Sequence, residues 1–232
     1  MKRNLVGTIV GPKGCGKSTL VQEIVREHRR VVILDYVGEY GAQLGAQACW
    51  GFDDCLAALE LASRAQEFRL SLRDTYGEEK LALLHVLFEL ERYLLVIEEA
   101  PTVCGPGVMP LELQRIVAIG RHRGISQLYV AQRPSMVNRL VTSQSDVLVA
   151  FRQHEPRDVE YLVEACGARM EAVRELAPFA ILVGGDPARA PRAVRARLRA
   201  QGTPPTKPLD GHGAAGVTVE RAAGKPEKPR TT

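Results

Sequence analysis

Gly11-Pro12-Lys13-Gly14-Cys15-Gly16-Lys17-Ser18 satisfies G-x-x-x-x-G-K-[ST], the pattern of a phosphate-binding loop. It follows the apolar run Leu5 to Val10, which reads as a buried strand. It precedes Thr19-Leu20-Val21-Gln22-Glu23-Ile24-Val25, whose apolar spacing is helical. Strand, glycine loop and helix in that order are the context the pattern requires. Gly11, Gly14 and Gly16 let the backbone turn its N–H groups inward around a phosphate with no Cβ in the way, and the helix starting near Lys17 adds the positive end of its dipole. Lys17 is then expected to reach the β- and γ-phosphates and Ser18 to place its hydroxyl on Mg²⁺. The expected binding segment is Gly11, Pro12, Lys13, Gly14, Cys15, Gly16, Lys17, Ser18 and Thr19, with Cys15 filling a free position of the motif.

Outward from the loop, strand signals alternate with helical ones. Strands are expected at Val31 to Asp35, Phe68 to Leu72, Tyr93 to Ile97, Gln127 to Ala131, Val147 to Phe151 and Ala180 to Val183. Helices are expected over Glu79 to Glu91, Leu111 to Gly120, Arg157 to Ala165 and near Met170 to Leu176. Such alternation implies an α/β fold with a mostly parallel sheet and helices on both faces, and with the phosphate loop the expected fold resembles that of a P-loop NTPase of RecA/ASCE type. Ligands in such sheets bind at the carboxyl ends of the strands. Arg195, Arg197 and Arg199 alternate with Ala196 and Leu198, so a strand there would show arginine on one face, either as a charge-blunted edge or as a phosphate track.

With 232 residues and 45% hydrophobic content, the chain can bury one substantial core, expected over residues 1–200. From Gln201 to Thr232 prolines and glycines interleave with few apolar residues, the composition of a disordered basic tail. A net charge of +4 permits a nucleic-acid partner without arguing for one. The five cysteines, Cys15, Cys49, Cys55, Cys104 and Cys166, are odd in number and form no C-x-x-C pair, which favours a reducing compartment over a disulfide framework or a zinc site. Lys2 and Arg3 ahead of Leu5 to Val10 imitate a signal peptide, but that apolar run is short and passes straight into the phosphate loop. No apolar stretch approaches the roughly 18 to 20 residues that cross a membrane.

The second motif is Leu94-Leu95-Val96-Ile97-Glu98-Glu99, a hydrophobic strand ending in two acids, the Walker B arrangement. Glu98 is the candidate for the Mg²⁺ shell and Glu99 for the base that polarises the attacking water. Side chains alternate along a strand, so the two point differently and can divide these roles. An adjacent glutamate of this kind belongs to ATPases that activate water, so ATP and Mg²⁺ are the expected cofactors. An N-K-x-D guanine reader and an L-S-G-G-Q-like transporter signature are both absent from the sequence.

The third feature is Ile119-Gly120-Arg121-His122-Arg123-Gly124-Ile125-Ser126-Gln127-Leu128-Tyr129-Val130-Ala131-Gln132-Arg133-Pro134. Here the chain resembles the FtsK–HerA superfamily of DNA-pumping ring ATPases, whose members carry a similar G-R-x-x-G-I, an apolar strand and then T/A-Q-R-P. Asp35-Tyr36-Val37-Gly38-Glu39-Tyr40 is similar to the family's D-x-x-G-E-Y, and the likeness spans roughly Leu5 to Val183. The resemblance implies that Gln132 is a polar sensor of hydrolysis. It also implies that Arg121 projects as an arginine finger into the neighbouring subunit's site; a helix-terminal cation is the other reading. Arg123 is a weaker finger, and Arg133 before Pro134 shapes the turn. A finger acting in trans implies a homo-oligomer, a hexameric ring, around double-stranded DNA. Thr102 to Pro110 and Tyr40 to Asp54 are the candidate channel segments, and Trp50 can stack a base or pack in a core or interface. The size most resembles the genome-packaging ATPases of membrane-containing icosahedral viruses. That implies residence in the host cytoplasm or on the virion, with a capsid or portal-vertex protein as a further partner, the tail being one place for it to dock. Two alternatives stay open: a phage morphogenesis ATPase moving protein or single-stranded DNA, and a nucleotide-dependent scaffold with slow turnover.

Overall fold

The computed structural model describes residues 4–38, 40–74, 77–107 and 109–202. The tail from residue 203, Glu39 of the D-x-x-G-E-Y segment and Val108 of one candidate channel loop lie outside the described residues. The chain runs β1 (Val6–Val10), α1 (Lys17–Val25), β2 (Arg30–Leu34), α2 (Tyr40–Leu44), β3 (Gln47–Trp50), α3 (Gly51–Arg64), β4 (Phe68–Arg73) and α4 (Gly77–Glu89). It continues through β5 (Leu94–Ile97), α5 (Leu111–Ile119), β6 (Ser126–Ala131), α6 (Arg139–Gln144), β7 (Val147–Phe151), α7 (Pro156–Cys166), β8 (Ile181–Gly185) and α8 (Arg192–Ala200). The strands form one sheet in the order β3-β4-β2-β5-β6-β1-β7-β8. All neighbours are parallel except β7 and β8, so the last strand returns antiparallel at the edge.

Both faces of the sheet are covered, which is why its central strands β2, β5 and β7 are almost wholly apolar. Val31, Ile33, Leu94, Val96, Leu128 and Val130 point to one face, against Leu20 and Ile24 of α1, Leu44 of α2 and Val194 and Leu198 of α8. Val32, Leu34, Leu95, Ile97, Tyr129 and Ala131 point to the other, against Leu59, Leu87, Ile116, Val141 and Leu162 of α3 to α7. The strict alternation follows from the two-residue side-chain period of a strand. It also fixes register, because a slip of one residue would exchange the two cores.

Two expectations are corrected. Arg195, Arg197 and Arg199 lie on α8, not on a strand. Val194 and Leu198, four residues apart, are buried there, and Glu27 accepts hydrogen bonds from the backbone N–H of Arg192 (3.1 Å) and Ala193 (2.7 Å) at the helix start. Next, the segment near Met170 to Leu176 is a 3₁₀ helix over Ala168–Glu175. Tyr40 to Asp54, a candidate channel region, lie on α2, the edge strand β3 and the start of α3.

Asp146 joins the amino-terminal edges of β1 and β7. Its Oδ2 accepts from the Val6 N–H at 3.0 Å, its own N–H donates to the Val6 carbonyl at 2.8 Å, and its Oδ1 pairs with Arg121 at 3.2 Å and with Arg189. Asp146→Ala leaves two guanidinium groups without their carboxylate and one strand-end N–H without its acceptor. The expected loss is about 2–3 kcal/mol, read as a melting temperature lower by roughly 4–12 °C. A shift under about 1 °C by differential scanning calorimetry would contradict this role.

Candidate functional site

The phosphate loop leaves β1 and enters α1 as its motif requires. Gly14 and Gly16 hold φ of 78° and 99°, left-handed values that favour glycine, and Gly16 caps the amino end of α1. Gly11 has a different reason: a Cβ there would sit 2.6 Å from Cys15 Sγ and 2.7 Å from Phe151 Cβ. The Lys17 ammonium is buried within the loop, donating to the Gly11 carbonyl at 2.6 Å and the Pro12 carbonyl at 3.0 Å. Burial pushes the Cys15 thiol up, partly offset by the neighbouring Lys17 charge, so its thiolate is disfavoured.

The two acids lie just beyond β5 and differ in surroundings, the second having left the extended backbone on which alternation rests. Glu98 is buried, and its Oε2 accepts a hydrogen bond from the Tyr40 hydroxyl at 2.9 Å. Glu99 has a φ of 45° and ψ of 54°, a left-handed conformation uncommon for a residue with a Cβ. Its Oε1 accepts from Gln132 Nε2 at 2.6 Å. Gln132 follows β6, which lies between β1 and β5, so the chain brings this amide between the loop and the paired acids. In turn the Gln132 carbonyl accepts from Gln153 Nε2 at 3.3 Å after β7.

Ser18 and Glu98 offer a hydroxyl and a carboxylate, oxygen donors alone. Ser18 is in the first turn of α1, which follows β1, and Glu98 follows β5; β6 separates the two strands, which lie about 10 Å apart. That donor set fits Mg²⁺, a hard cation that retains several waters and takes few protein ligands.

Tyr40 and Asp35 are site residues that the motifs alone did not assign. Asp35 is buried at the end of β2 and accepts from the N–H of Gly38 (2.8 Å) and of Tyr40 (3.1 Å), from Ser71 Oγ (2.9 Å) and from Arg73 (3.5 Å). This turn aims the Tyr40 ring at Glu98, 58 residues away in sequence. A D-x-x-G start to the turn was visible in the sequence, but its target was not. Arg133 donates to the buried Asp158 of α7 at 2.9 Å, and Ser135 Oγ donates to the same carboxyl at 2.6 Å, anchoring the turn at Pro134.

Arg121 stands at the opposite end of the sheet from its own loop. It precedes β6, and it donates to Asp146 Oδ1 at 3.2 Å and to the Gln144 carbonyl at 3.0 Å. Arg123 is likewise held, by the Phe88 carbonyl (2.8 Å) and Glu89 (2.9 Å). Trp50 is exposed, with the Arg73 guanidinium 5.0 Å from its ring centroid, and is neither buried core nor stacked on another aromatic.

A glycine loop at the carboxyl end of a central parallel strand, with paired acids two strands away and a polar residue on the strand between, defines a P-loop NTPase fold. No family model and no curated protein sequence matches the chain. Among solved structures, the genome packaging NTPase B204 from Sulfolobus turreted icosahedral virus 2 in complex with AMP is similar with a TM-score of 0.67 and 18% identity, over 82% of this chain and 96% of that one. B204, the DNA-packaging ATPase from Sulfolobus Turreted Icosahedral Virus, is similar with a TM-score of 0.59 and 18% identity, over 79% and 93%. The pCW3 conjugation coupling protein TcpA is similar with a TM-score of 0.53 and 14% identity, over 80% of this chain and 58% of that one. At such identities the likeness establishes the fold. Among the described residues no helix is long and apolar enough to cross a membrane.

The left-handed backbone at Glu99 makes a prediction opposite to that for most substitutions. Glu99→Gly removes a conformational penalty of about 1 kcal/mol and the side chain together. Its melting temperature is expected to rise by roughly 2–4 °C, whereas Glu99→Ala, which keeps the penalty, is expected not to rise. A Glu99→Gly protein that melts below the parent would show that the bond to Gln132 outweighs the backbone strain.

Proposed function

We propose that the chain is an ATP-hydrolysing ring motor that translocates double-stranded DNA, in the packaging of a viral genome. The observation that carries this reading is the 2.6 Å bond between Gln132 and Glu99, which unites the Q-R-P segment with the paired acids in one polar cluster across the β6 end from the phosphate loop. The similar structures agree with it: B204 from Sulfolobus turreted icosahedral virus 2 was solved with ATP-gammaS and with AMPPCP as well as AMP.

In this reading the loop N–H groups and the Lys17 ammonium bind and orient the β- and γ-phosphates. Lys17 exchanges its two carbonyl partners for phosphate oxygens as it does so. Ser18 and Glu98 hold Mg²⁺, which neutralises charge on the β- and γ-oxygens when bound. Glu99 takes a proton from water as the water oxygen bonds to the γ-phosphorus and the bond to the β,γ-bridging oxygen breaks. Gln132 fixes the Glu99 carboxylate and exchanges that hydrogen bond as phosphate leaves. Tyr40 keeps Glu98 oriented through its hydroxyl. Arg121 acts in trans, on the triphosphate of the adjacent protomer in a hexameric ring, where a guanidinium stabilises charge developing in the transition state. A capsid or portal-vertex protein is the further partner.

Purified protein under ring-forming conditions is expected to hydrolyse ATP faster with duplex DNA present. Lys17→Ala and Glu99→Gln are expected to lose at least about 100-fold of that rate. Rates indifferent to duplex DNA would favour a motor for another polymer, and an absence of multiple turnover would favour a scaffold. Arg121 is tested by mixing. Arg121→Ala subunits and Glu99→Gln subunits, each inactive alone, are expected to regain activity together, because one interface in the mixture then carries both groups. Co-assembly without recovered activity would remove the trans role and leave Arg121 as a partner of Asp146.

A further inference from the structure

A cavity of about 280 Å³ opens beside the phosphate loop, on the side away from Glu98 and Glu99. Its volume is near the lower end for small-molecule sites. It is lined by Lys13 and Cys15 of the loop, by Phe151 at the end of β7, by Arg152 and His154 just beyond, and by Phe179 ahead of β8. β7 and β8 lie on the opposite side of β1 from β6 and β5. A triphosphate whose γ-end faces Glu99 therefore directs its other end toward this cavity.

Phe179 is the unusual residue in that wall. It is 63% exposed and holds a φ of +63°, an outlier for a bulky side chain. The Ala180 N–H donates to the Ala177 carbonyl at 3.0 Å, so Pro178 and Phe179 are the central residues of a tight turn. Proline followed by a residue of positive φ marks a type II turn, whose second central position is unstrained with glycine. A phenylalanine here strains the backbone and leaves a large apolar ring in water, so it is costly to the fold on both counts. Its Cδ1 stands 3.3 Å from where a Cβ on Gly16 would lie, which sets the ring against the start of α1.

We infer that this cavity takes the base of the nucleotide, stacked on the Phe179 ring, without reading the hydrogen-bonding edge of that base. The inference rests on the reading of the loop as a nucleoside-triphosphate site. Stacking needs only a π-face and so tolerates any base. The lining residues carry no carboxylate or amide side chain to pair with the edge of adenine or to accept from the N–H groups of guanine. Arg152 and His154, exposed at the rim, supply cationic and imidazole donors for the sugar and α-phosphate.

The test is equilibrium binding of ATP, GTP and inorganic tripolyphosphate, each with Mg²⁺, to the parent chain, Phe179→Gly and Phe179→Trp. Melting temperatures of the same proteins without nucleotide are recorded alongside. Phe179→Gly is expected to weaken ATP and GTP alike by about tenfold, to leave tripolyphosphate unchanged and to melt no lower than the parent. Phe179→Trp is expected to stay within about threefold of the parent for both nucleotides. Unchanged ATP affinity in Phe179→Gly, or an equal loss for tripolyphosphate, overturns the stacking site. A parent chain that discriminates ATP from GTP by more than about tenfold overturns the edge-blind pocket. A parent that binds tripolyphosphate as tightly as ATP overturns the base site while the phosphate loop stands. A parent that binds neither overturns the nucleotide reading itself, and this inference with it.

Discussion

The placement of the site depends on β1 being hydrogen-bonded along both edges. β6 pairs from Val6↔Gln127 to Val10↔Ala131, and β7 pairs from Gly7↔Val147 to Val10↔Ala150. With both edges and both faces occupied, β1 has no freedom to shift, and the loop that leaves it at Gly11 starts from a fixed point. The Gly11 N–H reinforces this by donating to the Ala131 carbonyl at 3.2 Å, so the first residue of the loop is still tied to the strand that delivers Gln132. The chain departs from β1 in one direction to build β2 to β6 and in the other to build β7 and β8, and such a reversal opens a crevice at the strand ends. Phosphate chemistry then faces one flank of the loop and the Phe179 cavity the other.

What could be read from residues in order was mostly what is local. The loop declares itself because each glycine answers a backbone need within eight residues, and β5 declares itself because it is buried on both faces and therefore apolar throughout. Glu98 and Glu99 have the different surroundings expected of them, although Glu99 has left the extended backbone on which alternation rests. The sequence did not reveal what acts at a distance. Tyr40 meets Glu98 across 58 positions, and Glu27 steadies the start of α8 across 165. The arginine alternation near Arg197 suggested a strand because its spacing of two is conspicuous, while the deciding signal, Val194 and Leu198 four apart, consists of two residues. β3 is short, and three of its four residues are exposed, so no hydrophobic period marks it.

Four described non-glycine residues, Asp74, Arg92, Glu99 and Phe179, hold a positive φ, and Arg92 lies ahead of β5 at the end of the sheet opposite the loop. Glu99 and Phe179 both adopt left-handed backbone conformations that glycine would adopt freely, and both stand at the carboxyl end of the sheet near the loop. The interior offers the opposite picture: Cys104, buried with its thiol pushed up to about 12 by desolvation, donates to the Ala100 carbonyl at 3.1 Å and does nothing but pack. Conformational cost is thus borne outside the buried core, at two positions near the loop and two away from it.

Asp146 carries two guanidinium partners rather than one. A nearly buried carboxylate with a single cation would hold that cation for good, because withdrawing it would strand a charge out of water. With Arg189 in place, Arg121 can swing outward while the carboxylate keeps a counter-ion and its bond from Val6. Under the proposed trans role of Arg121, the second arginine would keep the end of β1 anchored while the first is engaged elsewhere.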